Sequence, residues 1–79
     1  MDREIRMPRL RPEMKKGMLA AWLKEEGESF ERGEALFEIE TDKVVNQIEA
    51  DRAGRVKKLI AEEGDEVEPG AVIALVEEE

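Results

Sequence analysis

Apolar positions in this chain come in short runs broken by acidic, glycine-containing segments, and the runs recur at a fixed spacing. Residues 17–40 align with 54–77 without a gap, each falling 37 places before its counterpart. Gly17, Glu25, Glu26, Gly27, Glu31, Gly33 and Glu40 fall on Gly54, Glu62, Glu63, Gly64, Glu68, Gly70 and Glu77. Leu19, Trp22, Phe30, Leu36 and Ile39 fall on Val56, Leu59, Val67, Ile73 and Val76. An internal repeat of this kind signals a unit that cannot bury its own apolar face and packs against its copy. Each copy reads as a strand, a turn at Glu-Glu-Gly-Glu/Asp, a short strand, a second turn ending in glycine, and another strand. Gly27, Gly33, Gly64 and Gly70 suit turn positions that need positive φ.

The runs are too short for independent helices and carry Val, Ile, Leu, Phe and Trp, as half-buried strands do. Met18–Glu26 also shows helical spacing through Leu19, Trp22, Leu23 and Glu26. Its counterpart Val56–Glu63 is bounded by glycines and spans only about two helical turns, so the strand reading ranks first. Leu36 and Ile39 are three apart, which breaks strict alternation and calls for a bulge or a two-faced strand. The expected fold is all-β: a flattened barrel or sandwich of two small antiparallel sheets with pseudo-two-fold symmetry. Thr41-Asp42-Lys43 lies between the last strand of the first copy and the run Val44–Glu49, where a tight hairpin would expose it.

Length and charge narrow the functional classes. The 79 residues read as a single domain, 1–79, with its core over about 4–77. A chain of this size buries only roughly 60% of its unfolded surface, and with neither Cys nor His it has no disulfide or zinc to help. The formal net charge of −8 argues against nucleic acid or an anionic membrane as partner. The longest apolar run, Gly17–Leu23, is too short to span a bilayer. The expected setting is therefore intracellular. The terminal Glu77-Glu78-Glu79 reads as a frayed end.

The chemical inventory is sparse. Without His, Cys or Tyr, and with Ser29 and Thr41 as the lone hydroxyl residues, no nucleophile–His pair and no His-based metal site can be assembled. Carboxylate pairs such as Glu38/Glu40 and Glu62/Glu63 read as solvated strand or turn residues, and no segment has the ligand spacing of a calcium loop. The residues assign no catalytic group and no metal. Trp22 and the methionines Met14 and Met18 read as packing residues. Lys43 in its turn is left as the candidate for chemistry.

The series Met7-Pro8-Arg9-Leu10, Met14, Gly17, Leu19, Trp22-Leu23-Lys24, Gly27-Glu28, Gly33-Glu34, Leu36 and Glu38-Ile39-Glu40-Thr41-Asp42-Lys43-Val44 resembles the lipoyl domain of 2-oxoacid and acetoin dehydrogenase acyltransferases. It continues through Ile48-Glu49-Ala50, Gly54, Val56, Glu63-Gly64-Asp65, Val67, Gly70 and Ile73. The resemblance implies lipoate covalently attached to Lys43, with Asp42 and Val44 as flanking recognition residues. It also implies a non-catalytic swinging-arm carrier of acyl groups and electrons. The implied partners are a lipoate ligase or lipoyl transferase, a thiamine-diphosphate-dependent dehydrogenase, an acyltransferase catalytic domain and dihydrolipoamide dehydrogenase. The implied location is the cytoplasm, or the mitochondrial matrix in a eukaryote.

Two alternatives share the expected fold: a biotin carrier of a carboxylase, whose target lysine is flanked by methionines, and an unmodified adaptor module. Asp42 and Val44 fit the lipoyl pattern. The chain departs from it at Asp51, where proline often follows Ala50, and at Arg11-Pro12-Glu13, in a loop that borders the lysine in the family.

Overall fold

Four four-residue turns organise the chain, and each has the same construction. In Glu25–Glu28, Glu31–Glu34, Glu62–Asp65 and Glu68–Ala71 the backbone N–H of the last residue donates to the carbonyl of the first, at 3.0–3.1 Å. The third residue of each turn is a glycine with φ between 90° and 95°. Positive φ at this position defines a type II turn, and glycine adopts it without a Cβ clash. Acidic side chains complete three of the turns: Glu28, Glu34 and Asp65 accept from the backbone N–H of Glu25, Glu31 and Glu62 at 2.7–2.9 Å.

Between these turns run eight strands. They are β1 (Asp2–Arg6), β2 (Gly17–Trp22), β3 (Ser29–Phe30), β4 (Ala35–Thr41), β5 (Val44–Glu49), β6 (Gly54–Leu59), β7 (Glu66–Val67) and β8 (Val72–Glu78). The computed structural model describes residues 2–78, and no helix occurs among them. The strands β2, β3 and β4 repeat as β6, β7 and β8 at the 37-residue spacing seen in the sequence. The segment Met18–Glu26 is accordingly strand and turn, not helix.

All pairings are antiparallel and form two four-stranded sheets, β1-β8-β6-β3 and β5-β4-β2-β7. Except at the β4–β5 hairpin the chain alternates between the sheets, so each copy contributes to both and neither copy closes alone. The pairing stays within each sheet, which makes the molecule a flattened sandwich without barrel closure. The long strands carry the expected bulges: register shifts between Ala35 and Phe37 on β4, and the pairing of β1 with β8 shifts at the equivalent place. An inserted residue turns two successive side chains inward. Leu36 and Phe37 are both buried, as are Ile73 and Ala74.

The core lies between the sheets. Leu19, Phe30, Leu36 and Ile39 and their counterparts Val56, Val67, Ile73 and Val76 are all buried, joined by Phe37, Met7, Met14 and Ala50. Each fully buried side chain of this size contributes roughly 1.5–3 kcal/mol. Trp22 and its counterpart Leu59 pack at the core's margin. The repeated glutamates are structural too, since Glu63 accepts from Trp22 N–H at 2.8 Å and Glu26 from Leu59 N–H at 2.9 Å.

Two features were not anticipated. Strand β1 is hidden in the sequence because Asp-Arg-Glu-Ile-Arg offers one apolar residue. The chain's last acidic residues are not frayed: Glu77 pairs with Asp2 and Arg55, and Glu78 with Gly54. Glu79 lies outside the described residues.

Candidate functional site

The hairpin joining β4 to β5 has the tightest connection in the molecule. Thr41 pairs with Val44, so Asp42 and Lys43 alone make the turn. They have φ of 48° and 66°, and they are the only non-glycine residues with positive φ among those described. Positive φ at both central positions is the requirement of a type I′ turn, whose twist matches that of the flanking strands. Asn-Gly satisfies it at low cost, whereas an ordinary L-residue in the left-handed region costs on the order of 1–2 kcal/mol. A lysine is held here against its own backbone preference, and such local strain gathers at functional positions.

Lys43 is exposed, and among the described residues its Nζ has no ion-pair or hydrogen-bond partner. Lys16, across the neighbouring strand end, is tied to Glu66 at 3.1 Å. Asp42 turns away from Lys43 and accepts from Arg11 Nη2. The Asp42 carboxylate in turn holds the Arg11 guanidinium charged beyond its already high ordinary value, through the hydrogen bond first and charge attraction second. Val44 and Val45 follow the turn with 58% and 52% of their surface exposed. These three sequence-predicted residues, Asp42, Lys43 and Val44, therefore stand together on one projecting tip.

Depressions beside the tip have volumes of about 220 Å³ (Leu10, Arg11, Thr41, Val44, Asn46) and about 280 Å³ (including Lys16, Met18 and Lys43). Both fall below the roughly 300–1,000 Å³ of a typical ligand site. No group of three or more potential metal ligands gathers among the described residues. The arrangement fits a group attached covalently to an amine and held out in solvent. The resemblance placed the loop of Arg11-Pro12-Glu13 beside the lysine, and the structure adds that Arg11 itself reaches Asp42. Its triplet stood out as a departure, but nothing local connects position 11 to position 42.

The biotin–lipoyl family model, described as a biotin-requiring enzyme, matches residues 3–76. The chain is 44% identical over 75 residues to the dihydrolipoyllysine-residue succinyltransferase component of the 2-oxoglutarate dehydrogenase complex of Staphylococcus saprophyticus, covering 95% of this chain and 18% of the relative. It is 43% identical over 79 residues to the acetyltransferase component of the pyruvate dehydrogenase complex of Zymomonas mobilis, covering 99% and 18%. The chain thus spans less than a fifth of the length of these relatives.

Among solved structures, the lipoyl domain of the 2-oxoglutarate dehydrogenase complex from Azotobacter vinelandii superposes with a TM-score of 0.79 at 33% identity, over 95% of each chain. A single-chain, multi-domain long-chain acyl-CoA carboxylase superposes with a TM-score of 0.84 over 99% of this chain and 7% of that one. At 18% identity that likeness shows the fold alone.

Proposed function

The chain belongs to the biotin–lipoyl family, and from that premise we propose that it is a lipoyl carrier domain with Lys43 as the attachment point. The observation that carries this reading is the geometry of Lys43: an exposed, unpaired amine in a two-residue turn whose left-handed backbone is costly for lysine. Lipoate is favoured over biotin by Asp42 and Val44 beside the lysine, and by the closer sequence likeness to a lipoyl domain than to a carboxylase.

When attached, the group supplies a dithiolane that carries acyl groups and electrons, so the organic reactivity is the cofactor's. The protein's residues present it. The hairpin strands β4 and β5 fix the base of the arm, and the core beneath Ile39 keeps that base rigid. Absence of cysteine leaves the domain no thiol of its own to exchange with the dithiolane. Tethering raises the effective concentration of the ring at each active site without tight docking.

In this reading residues 1–79 form one carrier domain of a dihydrolipoamide acyltransferase, with Asp42 and Val44 read by its partners. Those partners are a lipoate ligase, a thiamine-diphosphate-dependent dehydrogenase, the acyltransferase catalytic domain and dihydrolipoamide dehydrogenase. The bacterial and mitochondrial relatives suit a location in the cytoplasm or the matrix. No helix among the described residues is long and apolar enough to cross a membrane.

Co-expression with a lipoate ligase, followed by intact-mass measurement, tests the reading. A single lipoyl adduct that disappears in Lys43→Ala is the expected result. No adduct under conditions that modify a known lipoyl domain would sink it in favour of an unmodified module. A biotin-only adduct would assign the domain to a carboxylase.

A further inference from the structure

The two halves of the molecule match in their strands, turns and bulges, which makes their main asymmetry informative. Met7 and Ala50 occupy equivalent places: Met7 N–H donates to Ala71 O as Ala50 N–H donates to Glu34 O, and each carbonyl accepts from a turn glycine, Gly70 or Gly33. Gly17 and Gly54 are likewise equivalent, opening β2 and β6. Between these fixed points the second half needs only three residues, 51–53, whereas the first uses nine, 8–16. The longer connection reaches the Asp42-Lys43 turn through Arg11, and Leu10 and Arg11 line a depression with Thr41 and Val44.

This longer connection is built, not slack. Met7 and Met14 anchor its two ends in the core, at 2% and 4% exposure. Arg9 Nη1 closes it from within, donating to Pro12 O at 3.1 Å and Met14 O at 2.5 Å. Met14 N–H donates to Arg11 O at 3.1 Å, and Leu10 N–H to the Met14 sulfur at 3.3 Å. The effect of these contacts is to hold Arg11 at the loop's crest, where its guanidinium meets Asp42 and lies 3.9 Å from Glu13.

We propose that Arg11 is a positioning residue for Lys43: by engaging the Asp42 carboxylate it fixes the two-residue turn and keeps that carboxylate off the neighbouring lysine amine. The inference rests on Lys43 being the attachment point. Both turn residues sit in a sparsely populated backbone region, so the turn needs an external tie to stay in one conformation. Asp42 also lies one residue from a free amine of opposite charge, and an unengaged carboxylate there would compete for it. Arg11 removes that competitor. If the turn populates its presented conformation only part of the time, the apparent affinity of a ligase falls by that fraction while the rate once bound is unchanged.

The test uses Arg11→Ala and Arg11→Lys in the intact chain, with two readouts. Backbone ¹⁵N relaxation of the unmodified protein reads the order of residues 41–44 and 9–13. Steady-state kinetics with a lipoate ligase read KM and kcat for lysine modification. Arg11→Ala is expected to lower order at both segments and to lower the thermal midpoint by no more than about 4–8 °C. It should raise KM about two- to fivefold at constant kcat, the scale of an exposed ion pair. Arg11→Lys should recover most of the loss. In about 1 M salt, where screening acts over roughly 3 Å, the wild-type turn should lose order and Arg11→Ala should not change.

Unaltered order at 41–44 in Arg11→Ala would overturn the proposal. So would a raised KM with full order in the free domain, since Arg11 would then be a ligase contact. If the wild-type chain accepts no lipoyl group, the attachment reading fails, and relaxation still decides whether Arg11 orders the turn.

Discussion

Gly17 and Gly54 open equivalent strands 37 residues apart, yet what surrounds them differs in kind. A Cβ on Gly17 would come within 2.7–2.9 Å of the methyl ends of Met7 and Met14 and of Ile39 Cγ2. A Cβ on Gly54 would stand 2.5 Å from the backbone oxygen of Glu77. Methionine ends can rotate away and the stiffer, β-branched Ile39 gives less, but a carbonyl in a sheet cannot move without its strand. Overpacking typically costs about 1–3 kcal/mol. Gly17→Ala is expected within that range and Gly54→Ala at or above the top. Urea unfolding of the two variants checks this; equal losses would show that strand β8 at Glu77 yields as readily as the side chains around Gly17.

Stability and presentation oppose each other at Lys43. Replacing it by glycine removes the Cβ that disfavours φ of 66° and should stabilise the fold by about 1 kcal/mol. In the proposed reading the same change is expected to abolish modification, which intact-mass measurement after co-expression with a lipoate ligase checks. A thermal or urea midpoint that falls in Lys43→Gly would mean that the lysine side chain contributes more to the fold than its exposed position indicates.

Glu34 links acidity to turn integrity. Its carboxylate is held below the ordinary value of 4.5, chiefly by the hydrogen bond from Glu31 N–H and secondarily by Lys24. A lowered folded value means its contribution is complete above about pH 4.5, the unfolded value, and is lost as pH falls through the folded one. Glu34→Gln cannot titrate. The stability difference between wild type and this variant should therefore shrink on acidification from pH 7 to below 4. A difference constant with pH would refute the assignment.

Trp22 pairs with Phe37 across β2 and β4, ring centroids 5.2 Å apart and planes tilted by 54°. Its Nε1–H donates to Ala61 O at 2.8 Å. Trp22→Leu installs the residue type found at the equivalent Leu59, so the fold should survive. It should lose the aromatic pair and that hydrogen bond, together roughly 1–3 kcal/mol. Circular dichroism during urea unfolding measures this without relying on the lost indole. An unchanged midpoint would make Trp22 available for a surface role instead.

The sequence by itself determined the repeated strands, the glycine turns of positive φ and the place of Lys43. Glycine at a positive-φ position and alternation of apolar side chains are properties of a few successive residues, and here each signal is stated twice. The repeat also showed which side chains meet in the core, because Leu19 and Val56, or Ile39 and Val76, must do the same work in each half. The charged strand β1 escaped notice because its partner β8 supplies its reason to be a strand, and no property of Asp-Arg-Glu-Ile-Arg does so alone.

Tertiary structure alone decided how strands alternate between two sheets, that Asp42 and Lys43 both take left-handed backbone, and that Arg11 reaches Asp42 from 31 residues away. Register and long-range contact depend on packing the whole chain at once. A local pattern can say that a residue is exposed in a turn, but not which distant side chain will be standing beside it.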